Sequence, residues 1–180
     1  MSAVVQTPQM TERAAGSAQA IYFNASEHRL FGWLHRPPAE ASDVGVVLCS
    51  PFGYEAICGH RGVRAFAEAI AASGMPALRF DYAGTGDSQD IDIQADHLQA
   101  WTEDVLAAVQ ELRQQTGVRR VCLLGFRLGA LVATLAAARG SAVDGLIVVS
   151  PIASGRRYLR DLRMTRMAAS LTMCSRRSVG

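Results

Sequence analysis

Apolar residues in this chain cluster in short runs, which lie at residues 44–49, 77–80, 121–124 and 143–149; Arg79 and Asp144 interrupt the second and the last of them. The run 44–49 has no polar interruption, which is typical of a strand buried on both faces of a parallel sheet. Two earlier runs, 21–23 and 30–35, are separated by the polar stretch 24–28. This arrangement predicts an antiparallel hairpin at the start of the fold.

Helical periodicity appears between these runs. Over residues 60–73 the apolar side chains of Val63, Phe66 and Ile70 share one helical face, and a second helix is predicted over 97–115. Strands that alternate with helices indicate an α/β fold. We therefore predict a mostly parallel sheet with helices on both faces and right-handed crossovers, preceded by the antiparallel hairpin.

The most specific local signal lies at residues 125–129. Gly125 and Gly129 stand two residues before and two after Arg127, between a strand-like run and an Ala- and Leu-rich helical stretch. A strand, a tight turn and a helix with glycines at this spacing form a nucleophile elbow, a motif whose central residue is a serine when it is catalytic. The turn is therefore predicted here without its nucleophile.

Two further segments accompany this turn. Residues 51–55 read Pro-Phe-Gly-Tyr-Glu and follow the first buried run. Residues 81–88 read Asp-Tyr-Ala-Gly-Thr-Gly-Asp-Ser, and the spacing of Gly84 and Gly86 matches neither a P-loop nor the G-x-G-x-x-G fingerprint. We interpret the second segment as a turn in which Asp81 and Ser88 bond to backbone, not as a phosphate cradle.

With these three segments placed, the chain resembles an α/β-hydrolase, in particular its serine aminopeptidase-like branch and a subgroup with arginine in the elbow. The resemblance covers about residues 20–165 and rests on the D-x-x-G-x-G-x-S pattern, the segment after Cys49 and the glycine-flanked turn. It implies hydrolysis of an ester or amide through an acyl intermediate, without a cofactor. The backbone at Phe52, Gly53 and Tyr54 could supply oxyanion donors; without a nucleophile, a plain strand-to-helix turn is the equal alternative.

The same resemblance shows that two catalytic positions have no match in this chain. In this fold the serine is followed by an acid and then a histidine, whereas all four histidines (28, 35, 60 and 97) precede residue 127. We therefore expect a C-terminally truncated form with impaired or absent hydrolytic activity. Three regions are predicted: a flexible leader over 1–19, the N-terminal part of the hydrolase core over 20–155, and an arginine-rich helical tail over 156–180. The tail would be the start of a cap or a remnant of the missing part.

Arg127 itself has two interpretations. A guanidinium has no accessible deprotonated form, so it cannot act as a nucleophile. A cation at a helix N-terminus opposes the macrodipole at a cost of up to about 1 kcal/mol, which predicts a negative partner within salt-bridge reach. Glu55 and Asp81 belong to loops that the resemblance brings to the turn. We favour an internal ion pair; the alternative is a non-catalytic binding or partner protein that holds an acyl or anionic small molecule at Arg127.

The other candidate binding residues carry weaker signals. His60 could bind a substrate or shuttle a proton, but a histidine at a helix start that bonds to nearby backbone is the more common case. The complete candidate binding set is Phe52, Gly53, Tyr54, Glu55, His60, Asp81, Arg127 and Leu128, and the structural glycines are Gly84, Gly86, Gly125 and Gly129.

Charge and cysteine usage restrict the partners. The formal net charge is +2, but residues 156–180 hold seven arginines against one acid, Asp161. This basic, amphipathic stretch could bind anionic lipid or nucleic acid, but we favour the start of a cap or lid, whose apolar side would contact parts of the family's domain that are absent here. No apolar run is long enough to span a membrane. An exposed sheet edge, where further strands of the family would pair, predicts self-association.

The four cysteines (Cys49, Cys58, Cys122 and Cys174) lack the spacing of a metal site. Cys49 and Cys122 fall within strand-like runs and are predicted to be buried small hydrophobes. Free thiols, no metal and a reducing cytoplasmic location are the resulting expectations.

Overall fold

A computed structural model describes residues 16–139 and 142–165 of the chain. Within these residues the strands are β1 (Ser17–Ala25), β2 (His28–Arg36), β3 (Val44–Cys49), β4 (Ala77–Phe80), β5 (Arg120–Phe126) and β6 (Gly145–Val149). The helices are α1 (Tyr54–Ala72), α2 (His97–Thr116), α3 (Leu128–Ala138) and α4 (155–165).

The described strands form one sheet in the order β1-β2-β4-β3-β5-β6. β2 pairs antiparallel with both β1 and β4, whereas β3, β4, β5 and β6 pair in parallel. The prediction of a mostly parallel sheet with an N-terminal antiparallel hairpin is confirmed. In the parallel part, Cys49 aligns with Gly125 and Gly125 with Val148, so the ends of three strands meet at the same height.

Helices cover both faces of the sheet, as predicted. On one face, Val105 and Val109 of α2 and Val132 of α3 pack in a core with Val47 and Leu78 of the sheet. On the other face, Val63 and Ala67 of α1 pack over a smaller core that is formed with Val46, Leu48, Ala77, Leu124 and Phe126. The central strand β3 is buried over its last five positions, which explains its continuous apolar run.

Several boundaries differ from the sequence expectations. α1 begins at Tyr54 and not at residue 60, because Tyr54 and Ile57 point into solvent (65% and 75% exposed) and hide the helical period. Phe66 was expected in the core but is 50% exposed, with its ring against Phe126. The hairpin strands are longer than predicted, and β1 begins at Ser17, inside the range expected to be leader.

The strand predicted over 143–149 is present, and among the described residues it forms one edge of the sheet. β6 begins at Gly145 and has no neighbouring strand on its outer side among the described residues, so Leu146 to Val149 are exposed. Cys49 is buried as predicted, whereas Cys122 is only half buried. The structure describes the predicted tail only as far as residue 165. Residues 1–15 of the predicted leader and 166–180 of the predicted tail lie outside the described residues. Among the described residues, no helix has the length and hydropathy needed to cross a bilayer.

Candidate functional site

The turn between β5 and α3 consists of one residue, Arg127, with φ 55° and ψ −116°. A positive φ is a conformation that a residue with a Cβ rarely adopts, so the turn stores backbone strain. The flanking glycines make it possible. A Cβ on Gly125 would lie 2.5 Å from Ala130 Cα, and one on Gly129 would overlap the carbonyl oxygens of Cys49 and Ser50. The turn is therefore packed directly on the end of β3.

The Arg127 side chain forms an ion pair with Glu55 from the first turn of α1. Arg127 Nη2 lies 2.8 Å from Glu55 Oε1, and Nε donates to the same oxygen at 2.9 Å. The predicted carboxylate partner within salt-bridge reach is thus confirmed. This pairing raises the pKa of Arg127 above its ordinary value. Glu55 also supplies the negative charge that the N-terminus of α3 favours.

Tyr158 of α4 lies close to this pair. It is buried, and its pKa is raised by burial first and by the negative charge of Glu55 second. Glu55 Oε2 and the Tyr158 hydroxyl are both buried without a hydrogen-bond partner in the described part of the chain. Arg127 Nη1 donates a long hydrogen bond, 3.4 Å, to the carbonyl of Ser150 after β6. Four segments of the chain therefore meet around Arg127.

Phe52, Gly53 and Tyr54, the residues that could supply oxyanion donors, follow β3 and lie in three different environments. Gly53 has φ 61° and caps the N-terminus of α1, where its carbonyl accepts from the amides of Ala56 and Ile57. Phe52 turns inward, with its ring centroid 5.0 Å from that of Trp101. Tyr54, one residue further, is exposed.

The loop after β4 is held by the hydrogen bonds that the sequence predicts. Asp81 Oδ2 accepts from the amide of Asp87 at 3.1 Å. The Ser88 hydroxyl donates to the Asp81 carbonyl and accepts from the amide of Phe31. Of the two acids expected at Arg127, only Glu55 forms the ion pair; the Asp81 carboxylate belongs to a separate cavity.

This cavity has a volume of about 740 Å³. It lies between the start of α1, strands β2 and β4, and the loops 50–53 and 81–86. The candidate residues that line it are Phe52, Gly53, His60, Asp81, Gly84 and Gly86. Arg127, Glu55, Tyr54 and Leu128 are not part of its lining. The predicted single site is therefore divided into two places.

His60 illustrates the difference. It was expected at a helix start with a bond to nearby backbone, but α1 begins six residues earlier, and His60 lies exposed in its second turn. None of the hydrogen bonds found among the described residues involves its ring. His60 instead borders the cavity, and its charge lowers the pKa of Asp81, which burial of that carboxyl raises.

Sequence reasoning missed Arg79 in this cavity. The Arg79 guanidinium carbon lies 5.4 Å from the centroid of the Trp33 ring, and Nε donates to His35 Nε2 at 3.1 Å. His35 is buried, and burial together with the charge of Arg79 lowers its pKa. A cation within the apolar run 77–80 was the signal that could have revealed it.

The strand order, the antiparallel hairpin and the helices on both faces define an α/β-hydrolase fold, and solved structures of that class are similar to the chain. An alpha-beta serine hydrolase homologue from Coxiella burnetii gives a TM-score of 0.62 at 23% identity, over 74% of this chain and 62% of that protein. An a/b serine hydrolase without lid from Xanthomonas campestris gives 0.65 at 23% identity, over 77% and 63%. An esterase from Pyrococcus furiosus gives 0.61 at 21% identity, over 76% and 50%. The chain thus spans between half and just under two thirds of these structures.

The sequence itself identifies the family. A family model described as serine aminopeptidase, S33, matches residues 57–178. The chain belongs to this family, as the three sequence segments predicted. No curated protein matches the chain.

Proposed function

We propose that this serine aminopeptidase family member has little or no ester or amide hydrolase activity at the 125–129 turn. The observation that carries the proposal is the side chain at its centre: Arg127, held by Glu55. The turn has the strained backbone and the flanking glycines that a nucleophile elbow requires. Its central residue is a cation.

The chemistry explains why the substitution matters. Acyl transfer needs an atom with an available lone pair at the centre of the turn, and a base that takes its proton. A guanidinium is always protonated and only donates hydrogen bonds. The ion pair with Glu55 raises the pKa of Arg127 further, so proton loss is still less accessible. Ester or amide hydrolysis remains the family activity, and its loss here is the proposal.

The test uses p-nitrophenyl esters of two-, four- and eight-carbon acids, amino-acid p-nitroanilides and a fluorophosphonate label. Wild-type protein and R127A should show the same background turnover and no covalent adduct. Turnover by wild type that R127A loses would overturn the proposal. S50A is the matched control: turnover or a fluorophosphonate adduct that S50A loses and R127A keeps would assign the reaction to Ser50, the serine that shares the cavity with His60, and not to the turn.

A second candidate function, a protein that binds an acyl or anionic ligand at Arg127, has a narrower basis. The Arg127 side chain is 40% exposed, and Nη1 makes only the long bond to Ser150. Glu55 already neutralises the cation, so an external anion must compete with it. E55Q should therefore strengthen anion-dependent thermal stabilisation if Arg127 binds the ligand, and should leave it unchanged if it does not.

The chain organisation supports two accompanying proposals. Residues 20–155 form the core and 156–180 the tail, in line with Tyr158 packing beside the Arg127–Glu55 pair as the start of a cap would. The exposed apolar strand β6 supports self-association through the sheet edge.

The cysteines support a proposal about location. Cys49, Cys58 and Cys122 are free thiols, which supports a reducing cytoplasmic location.

A further inference from the structure

We propose that the cavity between α1 and strands β2 and β4 binds a monocarboxylic acid with an aromatic or branched apolar body, whose carboxylate is held by Arg79. This site goes beyond the proposed function, because Arg127 does not line the cavity.

The cavity suits a small molecule in size and lining. Its volume of about 740 Å³ lies within the range of ligand pockets. Apolar walls come from both sides: Phe31 and Trp33 of β2 face Ile57 and Val63 of α1. The rings of Phe31 and Trp33 meet edge to face, with centroids 5.9 Å apart. Such a surface accepts an aromatic or branched aliphatic group.

Arg79 provides the polar anchor. It is half buried on β4, directly opposite Trp33 in the strand register. Among the described residues no carboxylate lies within 4.0 Å of Arg79, whereas Arg127 and Arg113 each have an acid partner. Its hydrogen bond to His35 uses Nε, and in the described part of the chain Nη1 and Nη2 have no acceptor. Two parallel donors of a guanidinium match the two oxygens of a carboxylate.

His35 positions this guanidinium. Because its pKa is lowered, the imidazole is neutral near pH 7 and accepts from Arg79 Nε. Side chains of Arg64 and Glu68 also act on His35, but they form an ion pair with each other on the surface of α1. The Trp33 ring and His35 thus fix the orientation of Arg79 before any ligand arrives.

The charges around the cavity favour one negative charge over two. His60 and Arg61 lie exposed on α1 and attract anions from solvent. Asp81, however, places a half-buried carboxylate in the same cavity. A phosphate dianion would be repelled by Asp81 more strongly than a monocarboxylate. The apolar walls add affinity only for a ligand with an apolar body.

The experiment uses phenylacetate as the probe and phenylacetamide as its uncharged isostere, with calorimetry and thermal unfolding of the full chain. Phenylacetate should raise the Tm of wild-type protein and bind with at least about tenfold higher affinity than phenylacetamide, since only the acid pairs with the guanidinium. R79Q should weaken phenylacetate binding by about tenfold or more. R127A should change it by less than about twofold, because Arg127 lies outside the cavity.

Three results would contradict the proposed carboxylate site. The first is equal affinity of phenylacetate and phenylacetamide for wild-type protein, a measurement that needs no variant. The second is unchanged phenylacetate binding in R79Q. Loss of binding in R127A with retention in R79Q would move the anion to the turn, and so overturn this proposal in favour of binding at Arg127. None of these results bears on the hydrolysis test.

The positioning role of His35 has its own readout, the preference for acid over amide. H35L removes the acceptor for Arg79 Nε, so this preference should fall. H35Q keeps an acceptor oxygen and should restore it. A purely structural role would change the affinity for both probes by the same factor.

Discussion

Arg127 at the start of α3 and Glu55 at the start of α1 are joined through one carboxylate oxygen, which receives both Nε and Nη2 of the guanidinium. The pair connects the turn that begins α3 to α1, and these two helices pack on opposite faces of the sheet. Both side chains are about one third or more exposed, so solvent screens the pair and its own contribution to stability is at most about 1 kcal/mol. The backbone at Arg127 is the stronger energetic feature.

The positive φ of Arg127 predicts that R127G is more stable than R127A. Both variants lose the ion pair, but only glycine adopts φ 55° without strain. Strain of this kind costs about 1–3 kcal/mol, more than the entropy that glycine loses on folding, so we expect a difference of about 1 kcal/mol in favour of glycine. Urea unfolding of the two variants measures it.

Arg139 supplies the matched control. It stands at the C-terminal end of α3 with an ordinary φ of −82°. There R139A should be at least as stable as R139G. If R127A proved as stable as R127G, the turn would not be strained in solution.

The glycines around the turn predict a second contrast. G125A would force a Cβ to within 2.5 Å of Ala130 Cα and 2.7 Å of the Gly129 carbonyl, both backbone atoms of α3 that cannot move aside cheaply. We expect a loss of more than about 3 kcal/mol of unfolding free energy, or no folded protein. Gly62, in the middle of α1, has no atom within 4 Å of such a Cβ, so G62A should stabilise by about 0.5–1 kcal/mol. Thermal and urea unfolding of both variants separate these outcomes, and a well-folded G125A would contradict the close packing.

Local patterns were enough to predict the turn and its surroundings. The two glycines, the apolar run before them and the helical run after them define strand, turn and helix without reference to the rest of the chain. The charge argument at the N-terminus of α3 also predicted a carboxylate for Arg127 correctly. The turn was predictable because it depends on neighbours in sequence, whereas Glu55, 72 residues away, was a candidate partner only through the family resemblance.

The separation of Asp81 from Arg127 could not be predicted in the same way. It depends on the sheet order, in which β3 lies between β4 and β5 and keeps the two loops apart. Arg79 was missed for a related reason. Its strand has only four residues, and a single cation there gave no period that distinguished a half-buried side chain from an exposed one.

The buried carboxyl of Asp104 predicts a pH-dependent stability. Asp104 on α2 accepts from the amide of Ala83 at 2.9 Å, and burial raises its pKa from the ordinary 3.8 to about 6. Between these values the folded state binds more protons than the unfolded state, so this group stabilises the fold below pH 3.8 and loses that contribution as the pH rises through 6. The charges of His28 and Glu103 act on it with opposite sign and smaller weight.

D104N tests this sign. It keeps an acceptor for the Ala83 amide but cannot titrate, so the stability of D104N minus that of wild type should increase from pH 4 to about pH 7 and then level off. Urea unfolding across this range measures the difference. D104A cannot titrate either, but it leaves the Ala83 amide without a partner, so it should be less stable than D104N by about 1–3 kcal/mol at every pH. A difference between D104N and wild type that does not change with pH would mean that Asp104 titrates normally.

Strand β6 predicts association between copies of the chain. It is an edge strand whose residues Leu146, Ile147, Val148 and Val149 are 40%, 54%, 43% and 37% exposed. Its outer backbone groups and apolar side chains together can pair with another edge strand. We expect concentration-dependent association in sedimentation velocity, reduced by I147K because a lysine on an edge strand disfavours pairing. I93K is the matched control, since Ile93 is 83% exposed in a loop. Equal reduction by the two variants would point to a general effect of charge on solubility, whereas loss of association in I147K alone would assign the contact to this edge.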